Sequence, residues 1–279
     1  MQKIKLNNLK KFTVFFNSIT VWGVRNSALL LWVIFLTGFA VKVLAWFITP
    51  VVSRDSTLYL QMIQSVYNSG SYSGMLQEFL YHGWIPPLHI CLVRTVMHCG
   101  LGVEHAGVFV NIVFASLLVP VGYGIVYSVT ENKKIALVTA LFFAVHPGIC
   151  DLSVQVQREI LYLFFAGSAL LMFFFGLKKK QWYMWCGTGA FLALGLLTRY
   201  ETAELILLLS VAVFVLAAVH SVSWKFALSG VAGMIAALVI VFVAFLYFIG
   251  NMIYLESCKN YFLNKFNKAA VSLIERGKK

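Results

Sequence analysis

An Arg-Asp pair, Arg54-Asp55, follows the first long apolar run of the chain, in the stretch VVSRDSTLYL at 51–60. A carboxylate there can do one of two things. It can take a proton from an attacking hydroxyl as a general base. Or it can accept backbone N–H groups as the N-cap of a helix beginning at Ser56. Three more arginines, Arg94, Arg158 and Arg199, stand between later apolar runs or near their ends. The planar guanidinium fork binds phosphate or carboxylate in bidentate fashion, which the compact lysine ammonium does not. Arginines gathered at headgroup level suggest a held anionic lipid headgroup; the plainer alternative is that they pair with neighbouring acids.

Local patterns offer structural roles for the same residues. Thr198-Arg199-Tyr200-Glu201 has the spacing of a capping box opening a helix. Asp151, Gln155, Arg158 and Tyr162 fall on one face if that stretch is a single helix. Tyr59 lies one turn beyond Asp55. His82, His89, His98 and His105 are spaced by seven, nine and seven and form no tight ligand pair, so no metal is expected. The five cysteines are odd in number and scattered, which implies no disulfide framework. No phosphate-binding glycine loop, nucleophile elbow or dinucleotide fingerprint is present, and no cofactor is expected.

The elements that must position these groups follow from composition. Of 279 residues, 61% are hydrophobic and only 11% charged, about half the charge of a soluble domain. The chain reads as an all-α polytopic membrane protein of one domain, residues 1–279. Seven apolar runs are expected to cross: 28–49, 106–129, 135–150, 160–177, 182–198, 203–220 and 226–250. The shorter run 88–99 contains Arg94 and reads as a helix on the membrane surface, within an outer loop covering 50–105.

Lysines alternate between connections. Residues 131–134, 178–180 and the turn before Lys225 are lysine-bearing, whereas the intervening connections hold none. The positive-inside rule then puts the lysine loops and the N-terminus in the cytoplasm and the arginines outside. The basic segment 1–27 reads as an inner-leaflet amphipathic helix, and 251–279 as a basic tail. The net charge of +12 is accounted for by topology and lipid contact, and nothing points to nucleic acid. The absence of any N-x-Ser/Thr sequon fits a bacterial inner membrane. Lys42, inside the first run, is expected to snorkel to the outer interface.

Several motifs in order then resemble a known family. A basic start and one span lead into an outer loop with an acid beside the membrane, Asp55. Pro86-Pro87-Leu88 precedes a surface helix, VQREILYLFF (156–165) heads the fourth run, and GLLTRYE (195–201) closes the fifth. This resembles the membrane glycosyltransferases of the GT-C type, in particular the protein O-mannosyltransferase and lipid A aminoarabinose transferase group, over 28–209. The resemblance implies transfer of a sugar, with inversion, from a polyprenyl phosphate carrier to an acceptor (protein, lipid or glycan) on the non-cytoplasmic face. It implies Asp55 as general base or acceptor-orienting acid, with Arg54, Arg158 and Arg199 toward the carrier phosphate. Tyr59, Glu78, His82, Glu159 and Glu201 are then expected around sugar or acceptor.

Two departures qualify the resemblance. Ser56 stands where many relatives carry a second acid, and the chain ends after the seventh run where relatives continue. The competing readings are therefore a non-catalytic, shortened GT-C-like protein that binds a polyprenyl phosphate lipid, and a transporter. Against the transporter, the runs hold almost no ionisable residue besides Lys42.

Overall fold

The computed structural model describes residues 26–48, 53–69 and 86–248, all of it helix and connection. The expected amphipathic segment, the basic tail, Glu78 and His82 lie outside the described residues. Among the described residues ten helices follow in order: α1 (Ser27–Ile48), α2 (Arg54–Ser69), α3 (Leu88–Met97), α4 (Val103–Thr130), α5 (Lys133–Val145), α6 (Pro147–Val154), α7 (Glu159–Lys179), α8 (Met184–Leu196), α9 (Thr202–Ala218) and α10 (Trp224–Phe248). The protein is an all-α polytopic membrane protein. By length and composition, four helices qualify as spans: α1, α4, α7 and most of α10. A fifth is added if α5 and α6 count as one bent crossing.

Within the described residues all seven expected runs are helical, but by length and composition not all of them qualify as full crossings. With 13 and 17 residues, α8 and α9 extend about 20 and 25 Å, short of a hydrocarbon core of about 30 Å. The third run is broken by a bend of 43° between α5 and α6. His146-Pro147 causes it. Proline disfavours helical geometry in the residue before it, and His146 is accordingly extended (φ −61°, ψ 122°). Pro147 then starts α6, where its missing N–H costs nothing.

Lys42 does not snorkel. It is fully buried, and its Nζ donates to the carbonyls of Ala144 (3.0 Å) and Gly38 (3.3 Å). Ala144 lies in the last turn of α5, where helical carbonyls lack intrahelical partners. The lysine thus satisfies a carbonyl exposed by the bend and fastens α1 to α5.

The helices run back and forth between two ends. At one end, Lys178 of α7 pairs with Glu131 after α4 at 2.8 Å and lies over the Tyr127 ring. At the other end, the first turns of α4 and α7, the last turn of α8 and the turn after it meet α2 and α3. Close packing on the α8–α10 side depends on Gly189, where a β-carbon would collide with the Met234 carbonyl oxygen. Trp185, fully buried, donates to the Phe173 carbonyl at 3.1 Å and ties α8 to α7.

The helix expected on the membrane surface, α3, is enclosed by protein. Ile90 and Val93 are fully buried in one apolar cluster with Ile63 and Val66 of α2 and Val110 of α4. Leu88 and Cys91 enter a second cluster with Leu161, Leu197 and Tyr200. Burial on both sides explains why Arg94 is also buried; it does not mark an outward-facing stripe.

Candidate functional site

The end of the molecule carrying Asp55 is built on three chain turns. The first is the start of α2. Helix α2 begins at Arg54, and Ser53, not Asp55, caps it: Ser53 Oγ accepts from Ser56 N–H at 3.1 Å. With the helix starting earlier than expected, the Ser53 hydroxyl fills the capping position and Asp55 is left exposed in the first turn. The carboxylate is free for other work. Arg54 is exposed beside it, while Ser56 and Tyr59 turn inward and are buried.

The second turn is the connection 155–158 between α6 and α7. Helix α6 ends at Val154, and Gln155 is extended (φ −95°, ψ 141°), so Asp151, Gln155, Arg158 and Tyr162 do not share one helix face as the spacing suggested. The connection lies directly on α4. Gly107 admits Val156, since a β-carbon there would come within 2.6 Å of Val156 Cγ1. One turn further, the fully buried Asn111 donates from Nδ2 to the carbonyls of Gln155 and Gln157, the latter at 2.8 Å. A connection without helical hydrogen bonds is thereby satisfied inside the protein, as apolar surroundings require.

The third turn joins α8 to α9. The expected capping box is not formed. Thr198 Oγ1 donates back to the Leu194 carbonyl at 2.8 Å, and α9 starts only at Thr202 with no side-chain cap. Glu201 is instead held by Arg199, which donates to both its carboxylate oxygens at 3.2 and 3.3 Å. Arg199 Nη1 also donates to Glu159 at 3.0 Å, and its guanidinium lies over the Tyr162 ring at 5.6 Å. The two carboxylates outcompete the cap because each bond they make is charge-assisted. Leu88 N–H donates to the Leu197 carbonyl at 3.0 Å, docking Pro86-Pro87-Leu88 on this turn.

Tyr59 is where the three turns converge. Burial pushes its hydroxyl up to about 12, and the charges of Arg158, Glu159, Arg199 and Asp55 all act on it. Its ring stands edge-on to His89 at 5.6 Å. His89 is fully buried; burial pulls its imidazole down to about 4, with Asn111 opposing and the Arg158 charge adding to the fall. His89 is therefore a neutral wall of the site. Burial would raise the Glu201 carboxyl, but the Arg199 hydrogen bonds overrule it and hold the group below its ordinary range. Arg199 is held above its own, burial again opposing.

The two consecutive sites of positive charge differ in one respect. Arg199 is engaged by Glu159 and Glu201 through Nε, Nη1 and Nη2. Arg158, at the head of α7, buries Nε and Nη1 without a hydrogen-bond partner among the described residues. Buried polar groups in folded proteins almost always have partners. A half-buried guanidinium with unused donors, near an exposed carboxylate, is suited to an anionic ligand.

Of the residues expected at the site, Asp55, Tyr59, Arg158, Glu159, Arg199 and Glu201 are brought to one end of the molecule, with Arg54 on its rim. Three residues were missed. Ser53 was overlooked beside the more conspicuous acid. Asn111 carried a readable signal, an amide inside a long apolar run. Gln157 stood next to Arg158 without any spacing to mark it. Of the other histidines weighed as ligands, His98 lies against Tyr67 and His105 against Trp46.

A comparison with curated proteins found no match. The family model for dolichyl-phosphate-mannose-protein mannosyltransferases matches residues 85–248. That stretch contains α3 to α10, hence Arg158, Glu159, Arg199 and Glu201, while Asp55 and Tyr59 precede it. Over more than half of its length, then, the chain follows the pattern of membrane glycosyltransferases of the GT-C type, and it belongs to the dolichyl-phosphate-mannose-protein mannosyltransferase family.

Proposed function

We propose that the protein transfers a sugar from a polyprenyl phosphate carrier to an acceptor hydroxyl on the non-cytoplasmic face of a cell membrane, with inversion. The observation that carries this reading is the pairing of Arg158, with its unused donors, and an uncapped, exposed Asp55 around one buried tyrosine.

The chemistry divides between them. An acceptor hydroxyl is a weak nucleophile, and the Asp55 carboxylate takes its proton as the new C–O bond forms. The bond from the anomeric carbon to the carrier phosphate breaks, leaving its electron pair on the phosphate. Arg158 donates to that growing charge where little water competes. Arg199 holds Glu159 and Glu201 in place with its own donors. Backside attack inverts the anomeric centre. Tyr59 and His89 supply an apolar floor, and Arg54 lies at the rim nearest the headgroups.

The test is release of polyprenyl phosphate in reconstituted vesicles given a panel of polyprenyl phosphate sugars. Release with one donor, coupled to sugar appearing on an acceptor in the opposite anomeric configuration, is expected. A folded protein that binds the carrier lipid yet releases nothing from any donor would establish the other reading, a non-catalytic member of the family that holds the lipid.

A further inference from the structure

Asp55 and Arg158 belong to segments more than a hundred residues apart in sequence, and a side-chain hydrogen bond links those segments. Gln157 donates from Nε2 to Ser53 Oγ at 2.6 Å. Ser53 Oγ in turn accepts from Ser56 N–H and lies 2.8 Å from Ser56 Oγ. The Gln157 carbonyl is itself held by Asn111 Nδ2 from within α4. The order is therefore Asn111, Gln157, Ser53, and then the first turn of α2 with Asp55. Each link is at ordinary hydrogen-bond length or slightly shorter.

We propose that Gln157 is a positioning residue, which fixes the N-terminal turn of α2, and Asp55 with it, against the Arg158 turn. The inference rests on the sugar-transfer reading for its consequence, but not for the tie itself. Gln157 neighbours Arg158 in sequence, so one short connection sets both the cation and, through its amide, the base. Among the described residues, helix α2 is otherwise held by the apolar face that carries Tyr59, Met62, Ile63 and Val66 and by the contact of Tyr67 with His98. Apolar packing of that kind tolerates sliding and rotation, whereas a hydrogen bond at the cap does not. The Ser53 hydroxyl does two jobs at once: it caps α2 and accepts from Gln157.

Two readouts test this with the full chain in vesicles. The first is amide hydrogen exchange. Gln157→Ala is expected to speed exchange at Ser56 and Thr57 while leaving α4 and α7 unchanged. The second is turnover. Misplacing a reacting group by about 1 Å costs on the order of 10²-fold in rate, so Gln157→Ala should lower kcat by that order with donor KM within about threefold. Ser53→Ala should lose at least as much, and the double variant should be no worse than Ser53→Ala alone, because the two residues act through one bond. Gln157→Glu, whose carboxylate can still accept from the Ser53 hydroxyl, should recover part of the rate. Unchanged exchange, or full additivity of the two alanine variants, overturns the proposal. So does faster exchange with unchanged kcat, since the tie would then position nothing. Faster exchange in α2 with a wild type that turns over no donor supports the tie and removes the sugar-transfer reading instead.

Discussion

Arg199 Nη1 donates to Glu159 at 3.0 Å, joining the turn before α9 to the first turn of α7. Because the same guanidinium grips Glu201, three helices (α7, α8 and α9) share one charged knot. Arg199→Lys keeps the charge and loses the fork; Arg199→Ala leaves two carboxylates unpaired. Since the group is partly exposed, screening reduces the loss. Arg199→Ala is expected to cost about 1–2 kcal/mol, and Arg199→Lys less. Thermal unfolding in detergent reads both. If the lysine variant were as unstable as the alanine one, the charge would be irrelevant and the fork everything.

His89 makes acid stability predictable. Its folded value of about 4 lies below its ordinary 6.5, so below pH 6.5 the unfolded chain gains a proton that the folded one refuses. Stability is full above about pH 6.5 and is lost as pH falls toward 4, by on the order of 3 kcal/mol. The groups facing His89 are Tyr59, Asn111 and Arg158. Glu201, held below 4.5, adds its loss only lower. Melting temperature between pH 7 and 4 should therefore fall in wild type and stay nearly flat in His89→Phe. Equal slopes would mean that His89 is not the group refusing the proton.

Lys42 predicts an order among substitutions. Its ammonium satisfies the Ala144 carbonyl at the α5–α6 bend. Lys42→Met fills the volume and leaves one carbonyl unsatisfied, a cost of about 1–3 kcal/mol. Lys42→Ala opens a cavity as well and should cost several kcal/mol more. Melting in detergent measures the difference. Equal losses would show that the hydrogen bond, not the packing, dominates.

Much of the helical framework was legible, because run length and apolar content report directly on a bilayer. The errors came from competition between neighbouring groups. Asp55 looked like a cap until Ser53, two residues earlier, took the position. Glu201 looked like half of a capping box until Arg199, two residues away, took the carboxylate. Run length alone could not separate a full span from a shorter apolar helix, as α8 and α9 show, nor discount the bend that Pro147 imposes on the third run. The Asn111–Gln157–Ser53 connection was not legible at all, since its links cross 46 and 104 residues and no local pattern announces them.

The proposed roles of Asp55 as base and Arg158 as phosphate ligand are separable in one experiment. In the same vesicles, turnover and polyprenyl phosphate binding would be measured for wild type, Asp55→Asn and Arg158→Ala. Asp55→Asn is predicted to bind the lipid as wild type does while losing turnover by on the order of 10²–10⁴-fold. Arg158→Ala is predicted to lose both, with lipid affinity falling about 10- to 100-fold, the worth of one or two charge-assisted hydrogen bonds. An Asp55→Asn protein that still transfers sugar at the wild-type rate would contradict the account, because asparagine cannot accept the proton.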